Sequence, residues 1–257
     1  MSDFLDVIVE DVKNTIDSGY YEVEKIVHDK LSLKETIINC RNNPIISEIK
    51  LSSPSKRIIE NDVDVLDLAT SMERGGALGL SIITEPKKFR GSLPNFIKIR
   101  KNFSIPLLMK DFIISKIQID AANKIGADAI LLIQTLFDRG YCDSDLYSMI
   151  EYAHEHKLEV LLEAHTEEEF LKAIKSDSDL IGINNRDLKT LIVDIQATKR
   201  ILSKYNHSNH IIISESGIES PNHIHFLKAA GSRAFLVGTS VMLAQNIEVK
   251  VRELVEG

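Results

Sequence analysis

The feature that most constrains the fold is a regular alternation, from residue 44 onward, of short apolar runs with longer amphipathic stretches. Short runs rich in Ile, Leu and Val are typical of buried strands, and the stretches between them have the period of helices. This order of elements predicts repeated βα units and a parallel sheet. The strand candidates are residues 44–49, 78–83, 106–109, 127–133, 158–162, 179–183, 210–214 and 234–237.

Eight such strands with their crossovers in roughly 210 residues predict an α/β fold of the (β/α)8 TIM-barrel type, in preference to an open doubly wound sheet. The helix candidates between the strands are residues 63–75, 114–125, 144–156, 167–175, 191–203 and 221–230.

The first 43 residues precede the first strand and contain two further helical patterns, near 2–16 and 33–40. Phe4, Leu5, Ile8 and Val12 recur at helical spacing and need a surface to cover. We therefore predict a helical extension, residues 1–43, packed on a barrel catalytic domain, residues 44–257.

The composition limits the partners and the compartment. A formal net charge of −7 without a basic cluster argues against nucleic acid, whereas a small anionic substrate remains compatible with a local positive pocket. Cys40 and Cys142 are too few for a disulfide framework or a zinc motif. The N-terminus is acidic where a secretory signal is basic, and no apolar run approaches the ~20 residues that span a bilayer. We expect a cytoplasmic protein, a monomer rather than a stable oligomer.

Polar side chains follow most of the strand candidates, at the ends where α/β barrels place their active sites. Glu48 and Lys50 point the same way, because side chains of a strand alternate between its faces. A buried Glu/Lys pair is costly unless it is paired or used in chemistry, so it marks either a site or a strand-end ion pair. Similar groups end the other strands: Glu85, Lys110 with Asp111, Glu163, Asn184 to Asp187, and Glu215 with Ser216.

The last two strands carry a second signal. Ser216-Gly217 and Gly238-Thr239 put small residues where backbone N–H groups can approach a ligand, at the strands where many barrels bind phosphate. Each glycine alone is equally well explained as a turn residue. Arg186 and the hydroxyl of Ser53 can complete a phosphate site.

The chain resembles the indole-3-glycerol phosphate synthase family from about residue 44 to its C-terminus, and more loosely in the extension. The motifs that carry the resemblance are Ser47-Glu48-Ile49-Lys50 with Ser53-Pro54-Ser55, Leu80 to Glu85 with Phe89 and Gly91-Ser92, Leu108 to Phe112, Leu162-Glu163, Ile181 to Leu188, Ser214 to Ile218, and Phe235 to Met242. This resemblance implies the decarboxylating ring closure of 1-(2-carboxyphenylamino)-1-deoxyribulose 5-phosphate to indole-3-glycerol phosphate, carbon dioxide and water in tryptophan biosynthesis. It implies no cofactor and no metal.

The resemblance also implies roles for the residues that match the motifs. Lys110 matches the general acid of ring closure, where a proton must reach the developing alkoxide. Glu163 and Lys50 match the acid and base of the later dehydration, with the assignment between them open. Glu48 and Asn184 match residues that orient the lysines and the sugar hydroxyls, and Glu215 with Ser216 belongs to the same shell.

Binding residues follow from the same resemblance. The phosphate is expected on Ser53, Arg186, Gly217, Gly238 and Thr239, with Lys50 nearby. Phe89 and Phe112 are expected to form the apolar wall for the anthranilate ring. Leu51 departs from the family, which usually has a basic residue after the strand-1 lysine, and the departure concerns substrate affinity more than reaction type.

There are three alternatives to this interpretation. One is another phosphate-binding barrel enzyme of isomerase or aldolase type, and another is a catalytically silent barrel. The third is a metal site at His154 and His156 or at His223 and His225, but residues two apart on a helix diverge by about 200° and cannot share one ion.

Overall fold

A computed structural model describes residues 3–53, 56–57 and 64–257, without the side chains of residues 53, 56 and 57. Eight parallel strands form a closed barrel in which each strand pairs with its neighbours in the sequence and the last pairs with the first. We number them β1 Ile45–Ile49, β2 Gly79–Ile83, β3 Leu107–Lys110, β4 Ala129–Ile133, β5 Glu159–Ala164, β6 Leu180–Asn184, β7 Ile212–Glu215 and β8 Ala234–Val237. A two-residue ladder, Ser52–Ser53 with Lys56–Arg57, follows β1. The (β/α)8 prediction is confirmed.

The helices before and between these strands lie mostly where the sequence predicts them. They are α1 Phe4–Asp17, α2 Leu33–Asn39, α3 Val65–Arg74, α4 Leu93–Arg100, α5 Lys116–Lys124, α6 Gln134–Asp138, α7 Leu146–Glu155, α8 Glu167–Ala173, α9 Gln196–Leu202, α10 Pro221–Ala230, α11 Thr239–Met242 and α12 Ile247–Glu256.

The predicted helix at 191–203 begins too early. The Asp187 carboxylate accepts the backbone N–H groups of Lys189 and Thr190, and Leu191 takes a φ of 60°, so the chain turns here. A side chain that binds its own following backbone competes with helix formation. Consequently, α9 starts only at Gln196.

Strand periodicity separates the core into an inner and an outer layer. On β1, Ile46 packs in the cluster inside the barrel, whereas Ile45 and Ile49 pack in the cluster between sheet and helices. The inner cluster also contains Leu108, Leu161 and Ile213. Each of these residues lies two positions before a charged residue, so the charged residue shares the inward face, one layer nearer the carboxyl ends of the strands.

The extension runs along the barrel from its mouth to its base. At the mouth, the Tyr21 hydroxyl donates to Asp111, 3.0 Å away, directly after β3. At the base, Asp128 before β4 receives His28 Nε2 at 2.9 Å and the Leu31 backbone N–H at 2.8 Å. The buried residues of α1 lie along one face of the helix and are Leu5, Ile8, Val9, Val12 and Thr15. The division into an extension and a catalytic domain stays a prediction, although the contacts between the two are extensive.

Within the described part of the chain, no helix is long and apolar enough to cross a membrane.

Candidate active site

A cavity of about 220 Å³ opens at the carboxyl ends of the strands. Residues from every strand end and from α1 reach it, so the barrel brings together side chains that are far apart in the sequence. Those predicted from the sequence that line it are Glu48, Lys50, Phe89, Lys110, Phe112, Glu163, Asn184, Arg186, Glu215, Ser216, Gly217, Gly238 and Thr239. The side chain of Ser53 lies outside the described residues.

Lys110 ends β3 and lies among three buried glutamates. Its Nζ is 2.7 Å from Glu215 Oε2, 3.4 Å from Glu163 Oε2 and 3.9 Å from Glu48 Oε2. Burial alone lowers the pKa of Lys110, but the three carboxylates outweigh it and raise the pKa above its usual value. The side chain is therefore held as an ammonium ion.

Glu48 joins the two lysines of the site. Its Oε1 lies 2.8 Å from Lys50 Nζ, while Oε2 faces Lys110. Burial alone raises the pKa of Glu48, but Lys50 and then Lys110 hold it below its ordinary value. Glu48 is thus a fixed anion that orients both cations. Lys50 lies two residues after Glu48 in the chain, and Lys110 ends β3.

Glu163 on β5 is held from two sides. Oε2 faces Lys110, and Oε1 lies 3.1 Å from Nε2 of His165. Although burial raises the pKa of Glu163, Lys110 and His165 lower it below its usual value. In the free protein this carboxyl group is ionised.

Glu215 on β7 has the opposite shift. Burial raises its pKa, Lys110 opposes the shift, and the nearby negative charge of Glu163 adds to it. Two buried carboxyl groups close together repel each other when both are ionised, so their pKa values move apart. The site thus contains one anionic and one proton-retaining carboxyl group beside the same lysine.

The loop after β7 has an unusual backbone. Ser216 has a φ of 65° and Gly217 a φ of 79°, two left-handed residues in succession. Asn185 holds this turn, since its Nδ2 donates to the carbonyl oxygens of Glu215 and Ser216 at 2.9 and 3.1 Å. The Ser240 hydroxyl donates to the Ile218 carbonyl at 2.7 Å, which ties the turn to the segment after β8.

Gly238 follows β8 and has a packing role. A Cβ added there would lie 2.6 Å from Glu48 Oε1, so only glycine leaves room for the Glu48–Lys50 ion pair. Thr239 is the next residue and lines the same cavity.

Two phenylalanines form one side of the cavity. The ring centroids of Phe89 and Phe112 are 5.8 Å apart, with the rings inclined by 34°. Phe4 from α1 joins the lining. An aromatic ring of a ligand can pack against this wall.

Asn184 and Arg186 shape the loop after β6. Asn184 Oδ1 accepts the backbone N–H of Arg186 at 3.0 Å, and one guanidinium nitrogen of Arg186 donates to the Leu191 carbonyl at 2.8 Å. Both side chains line the cavity.

Sequence reasoning missed several residues that shape the site. Phe4 was assigned only to packing on the barrel, and no signal in the sequence placed it in the cavity. Gly182 adjoins the Glu215 carboxyl group, and Asn185 supports the Ser216 turn. His165 was detectable, because it lies two residues after Glu163 on the same strand face.

No group of three or more His, Cys, Asp or Glu side chains that could hold a metal ion occurs within residues 3–53, 56–57 and 64–257. His154 instead contacts Asp179 at 2.9 Å, and His156 contacts Asp120 at 3.4 Å.

Comparison with solved structures shows the fold. Thiamine phosphate pyrophosphorylase from Pyrococcus furiosus superposes with a TM-score of 0.58 at 15% sequence identity, covering 87% of this chain and 96% of that one. At this identity the likeness concerns the barrel architecture alone.

Comparison of sequences is far more specific. The family model described as indole-3-glycerol phosphate synthase matches residues 5–254. The indole-3-glycerol phosphate synthase of Methanocaldococcus jannaschii is 42% identical over 252 residues, covering 96% of this chain and 91% of that protein. That of Bacillus thuringiensis subsp. konkukian is 38% identical over 247 residues, covering 96% of each. The chain belongs to the indole-3-glycerol phosphate synthase family.

Proposed function

We propose that this chain converts 1-(2-carboxyphenylamino)-1-deoxyribulose 5-phosphate to indole-3-glycerol phosphate, carbon dioxide and water, as a carbon–carbon lyase of tryptophan biosynthesis. The observation that carries this assignment, besides family membership, is Lys110 held as an ammonium ion among three glutamates inside one cavity.

Ring closure needs a cation where negative charge develops on the substrate ketone oxygen. Lys110 supplies it as the proton donor and as a direct electrostatic partner. Its three glutamate neighbours fix the ammonium group, so little reorganisation is required when the alkoxide forms. Decarboxylation then restores the aromatic ring.

Dehydration needs one group to protonate the leaving hydroxyl and one to remove a proton. Glu163 lies beside Lys110, and Lys50 shares the Glu48 carboxylate with Lys110. Lys50 and Glu163 supply these two functions. Burial raises the pKa of Glu215, so Glu215 retains a proton that it can supply to these groups. Glu48 and Asn184 orient the lysines and the sugar hydroxyls.

The phosphate group binds where the loops after β7 and β8 meet. Gly217, Gly238 and Thr239 belong to these loops and line the cavity, as does Arg186 from the loop after β6. Ser53 completes the set by sequence. The anthranilate ring packs on Phe89 and Phe112, on the apolar side of the cavity.

The net charge of −7 and the small size of the cavity support a small phosphorylated substrate and disfavour nucleic acid. We further propose that the protein acts in the cytoplasm as a monomer, without a cofactor.

The test is turnover of purified protein with this ribulose phosphate, followed by the indole fluorescence of the product. Lys110→Ala should abolish turnover while inorganic phosphate binding, measured by calorimetry, persists. Lys172→Ala is the matched control, because Lys172 makes a surface ion pair with Asp138. Near-normal turnover of Lys110→Ala would refute the role of Lys110, and absence of turnover in the parent protein would favour the isomerase or silent-barrel alternatives.

A further inference from the structure

His165 is a buried imidazole immediately after β5, with 6% of its side chain exposed. Its Nε2 lies 3.1 Å from Glu163 Oε1, the oxygen that does not face Lys110. Both oxygens of the Glu163 carboxylate therefore have a nitrogen partner, one on each side.

A second carboxylate lies on the other side of the ring. Glu169 Oε2 is 3.6 Å from His165 Nδ1 and accepts the His165 backbone N–H at 2.7 Å. Glu169 Oε1 accepts a hydrogen bond from the Thr135 hydroxyl at 2.8 Å, so Thr135 holds this carboxylate in place independently of the imidazole. The ring contacts to both glutamates are ion-pair contacts rather than aligned hydrogen bonds.

The ring interacts with three acidic residues. Glu163 faces it from β5, Glu169 from α8 and Asp187 from the loop after β6, while Lys110 is the cation beyond Glu163. Burial alone lowers the pKa of His165, but the carboxylates outweigh burial and raise it to about 9. At neutral pH the ring is therefore an imidazolium ion.

The distances show what this cation does. Lys110 Nζ is 2.7 Å from Glu215 but 3.4 Å from Glu163. A carboxylate with no second cation would be drawn fully onto the ammonium group. His165 lies on the side of Glu163 opposite Lys110, where its charge attracts the carboxylate away from the ammonium group.

We propose that His165 is a positioning residue that holds the Glu163 carboxylate between two cations, so that Lys110 stays available to the substrate. Glu169 and Thr135 orient the ring in turn. This inference rests on the proposed roles of Glu163 and Lys110.

Two variants separate the charge of the ring from the mere presence of an N–H group near Glu163. His165→Gln keeps an N–H donor near the place of Nε2 but loses the charge, and His165→Asn is too short to keep either. We expect kcat to fall by about tenfold or more in His165→Asn and less in His165→Gln, with a smaller change in KM. In both variants the limb of the pH–rate profile set by Glu163 should move to higher pH by about one unit or more, because a cation within contact distance is lost.

His154→Asn is the matched control, because His154 also pairs with a carboxylate, Asp179, at 2.9 Å, but outside the cavity. It should leave the pH profile unchanged. An unshifted profile in folded His165→Gln and His165→Asn would overturn the proposal.

A second measurement needs no His165 variant. Among the eight histidines, one C2–H proton resonance of the parent protein should keep its imidazolium shift until about pH 9. In Glu163→Gln that titration should move to lower pH. Titration of all eight histidines near the ordinary value of about 6.5 would overturn the proposal. Full turnover of Glu163→Gln would instead refute the proposed role of Glu163, even if the histidine titration moved.

Discussion

Gly182 on β6 adjoins the carboxyl group of Glu215 on the neighbouring strand β7, and a methyl group added at Gly182 would overlap Glu215 Oε1. The missing side chain provides the space in which Glu215 reaches Lys110. Glycine at this position is therefore part of the arrangement of the site, although it contributes no functional group.

Gly182→Ala should displace Glu215 and lower kcat by about 100-fold, since a 1 Å misplacement near the reacting groups can cost that much. The fluorescence assay measures it. Gly140→Ala is the control, because no other atom lies within 4 Å of the added Cβ, although Gly140 has a φ of 68°. It should cost some stability and leave kcat unchanged, and an equal loss of kcat in both variants would refute the packing role.

Lys110→Ala should also change stability in a pH-dependent way. Removing the ammonium group leaves Glu48, Glu163 and Glu215 together, at a cost of about 3–5 kcal/mol near pH 7. Their pKa values in the folded state must then rise. A raised pKa favours the folded state at low pH and loses that benefit as pH rises, so the deficit relative to the parent protein should grow with pH.

Denaturant unfolding of Lys110→Ala at pH 5 and pH 7 measures this deficit. The control is Lys98→Ala, where an ion pair to Asp64 at 2.8 Å is about half exposed and should change stability by less than about 1 kcal/mol. Equal deficits of Lys110→Ala at both pH values would contradict the prediction.

Asp111→Asn should flatten the pH dependence of stability. Burial raises the pKa of Asp111 to about 6 from 3.8, against the opposing hydrogen bonds from Thr84, Tyr21 and the Phe112 backbone. With a raised folded-state pKa, its contribution is present below pH 3.8 and is lost as pH rises through about 6. The change is on the order of 3 kcal/mol.

Unfolding free energies at pH 4 and pH 7 test this prediction. The parent protein should lose more stability over that interval than Asp111→Asn. Asp64→Asn is the control. The hydrogen bond from Lys98 lowers the pKa of Asp64, so Asp64 contributes stability at the higher pH rather than at the lower pH. A parallel pH dependence of Asp111→Asn and the parent would rule the assignment out.

Arg139→Ala should weaken substrate binding more than turnover. Arg139 Nη1 contacts Asp3 at 2.7 Å and Asp6 at 3.6 Å, on either side of Phe4, which lines the cavity. Loss of this partly exposed contact is worth about 0.2–1 kcal/mol, so KM should rise by a few fold. Arg252→Ala, which breaks an α12 ion pair to Glu248, should leave KM unchanged. A larger effect on kcat than on KM would contradict this account.

The barrel was predictable because its strands are buried on both faces. Such strands appear as continuous apolar runs, and the predicted runs coincide with β1 to β8 within about two residues. Helices α4, α6, α11 and α12 were not among the candidates, although Pro94 in the first turn of α4 is a usual residue at a helix start. The predicted start of α9 was wrong because the Asp187 side chain binds the following backbone N–H groups and so prevents a helix there. Hydrophobic periodicity gives no sign of such a local hydrogen bond.

The convergence of side chains on one cavity was predictable where a charged residue ends a strand, as for Glu48, Lys110 and Glu163. Residues that act by shape are not visible in this way. Gly182 and Phe4 acquire their meaning only from neighbours brought close by the fold. The placement of such residues follows from strand register and helix docking, which are set by long-range contacts.

The pairing of β1 with β8 also governs when the protein becomes functional during its synthesis. Ile45 pairs with Phe235, so about 190 residues must be added before the first strand finds its second neighbour. At about 5–20 residues per second, the ribosome needs roughly 10–40 s for that interval. Glu48 and Lys50 therefore leave the ribosome long before β8 closes the barrel beside them, and a nascent chain that stalls before β8 has both groups but an open barrel around them.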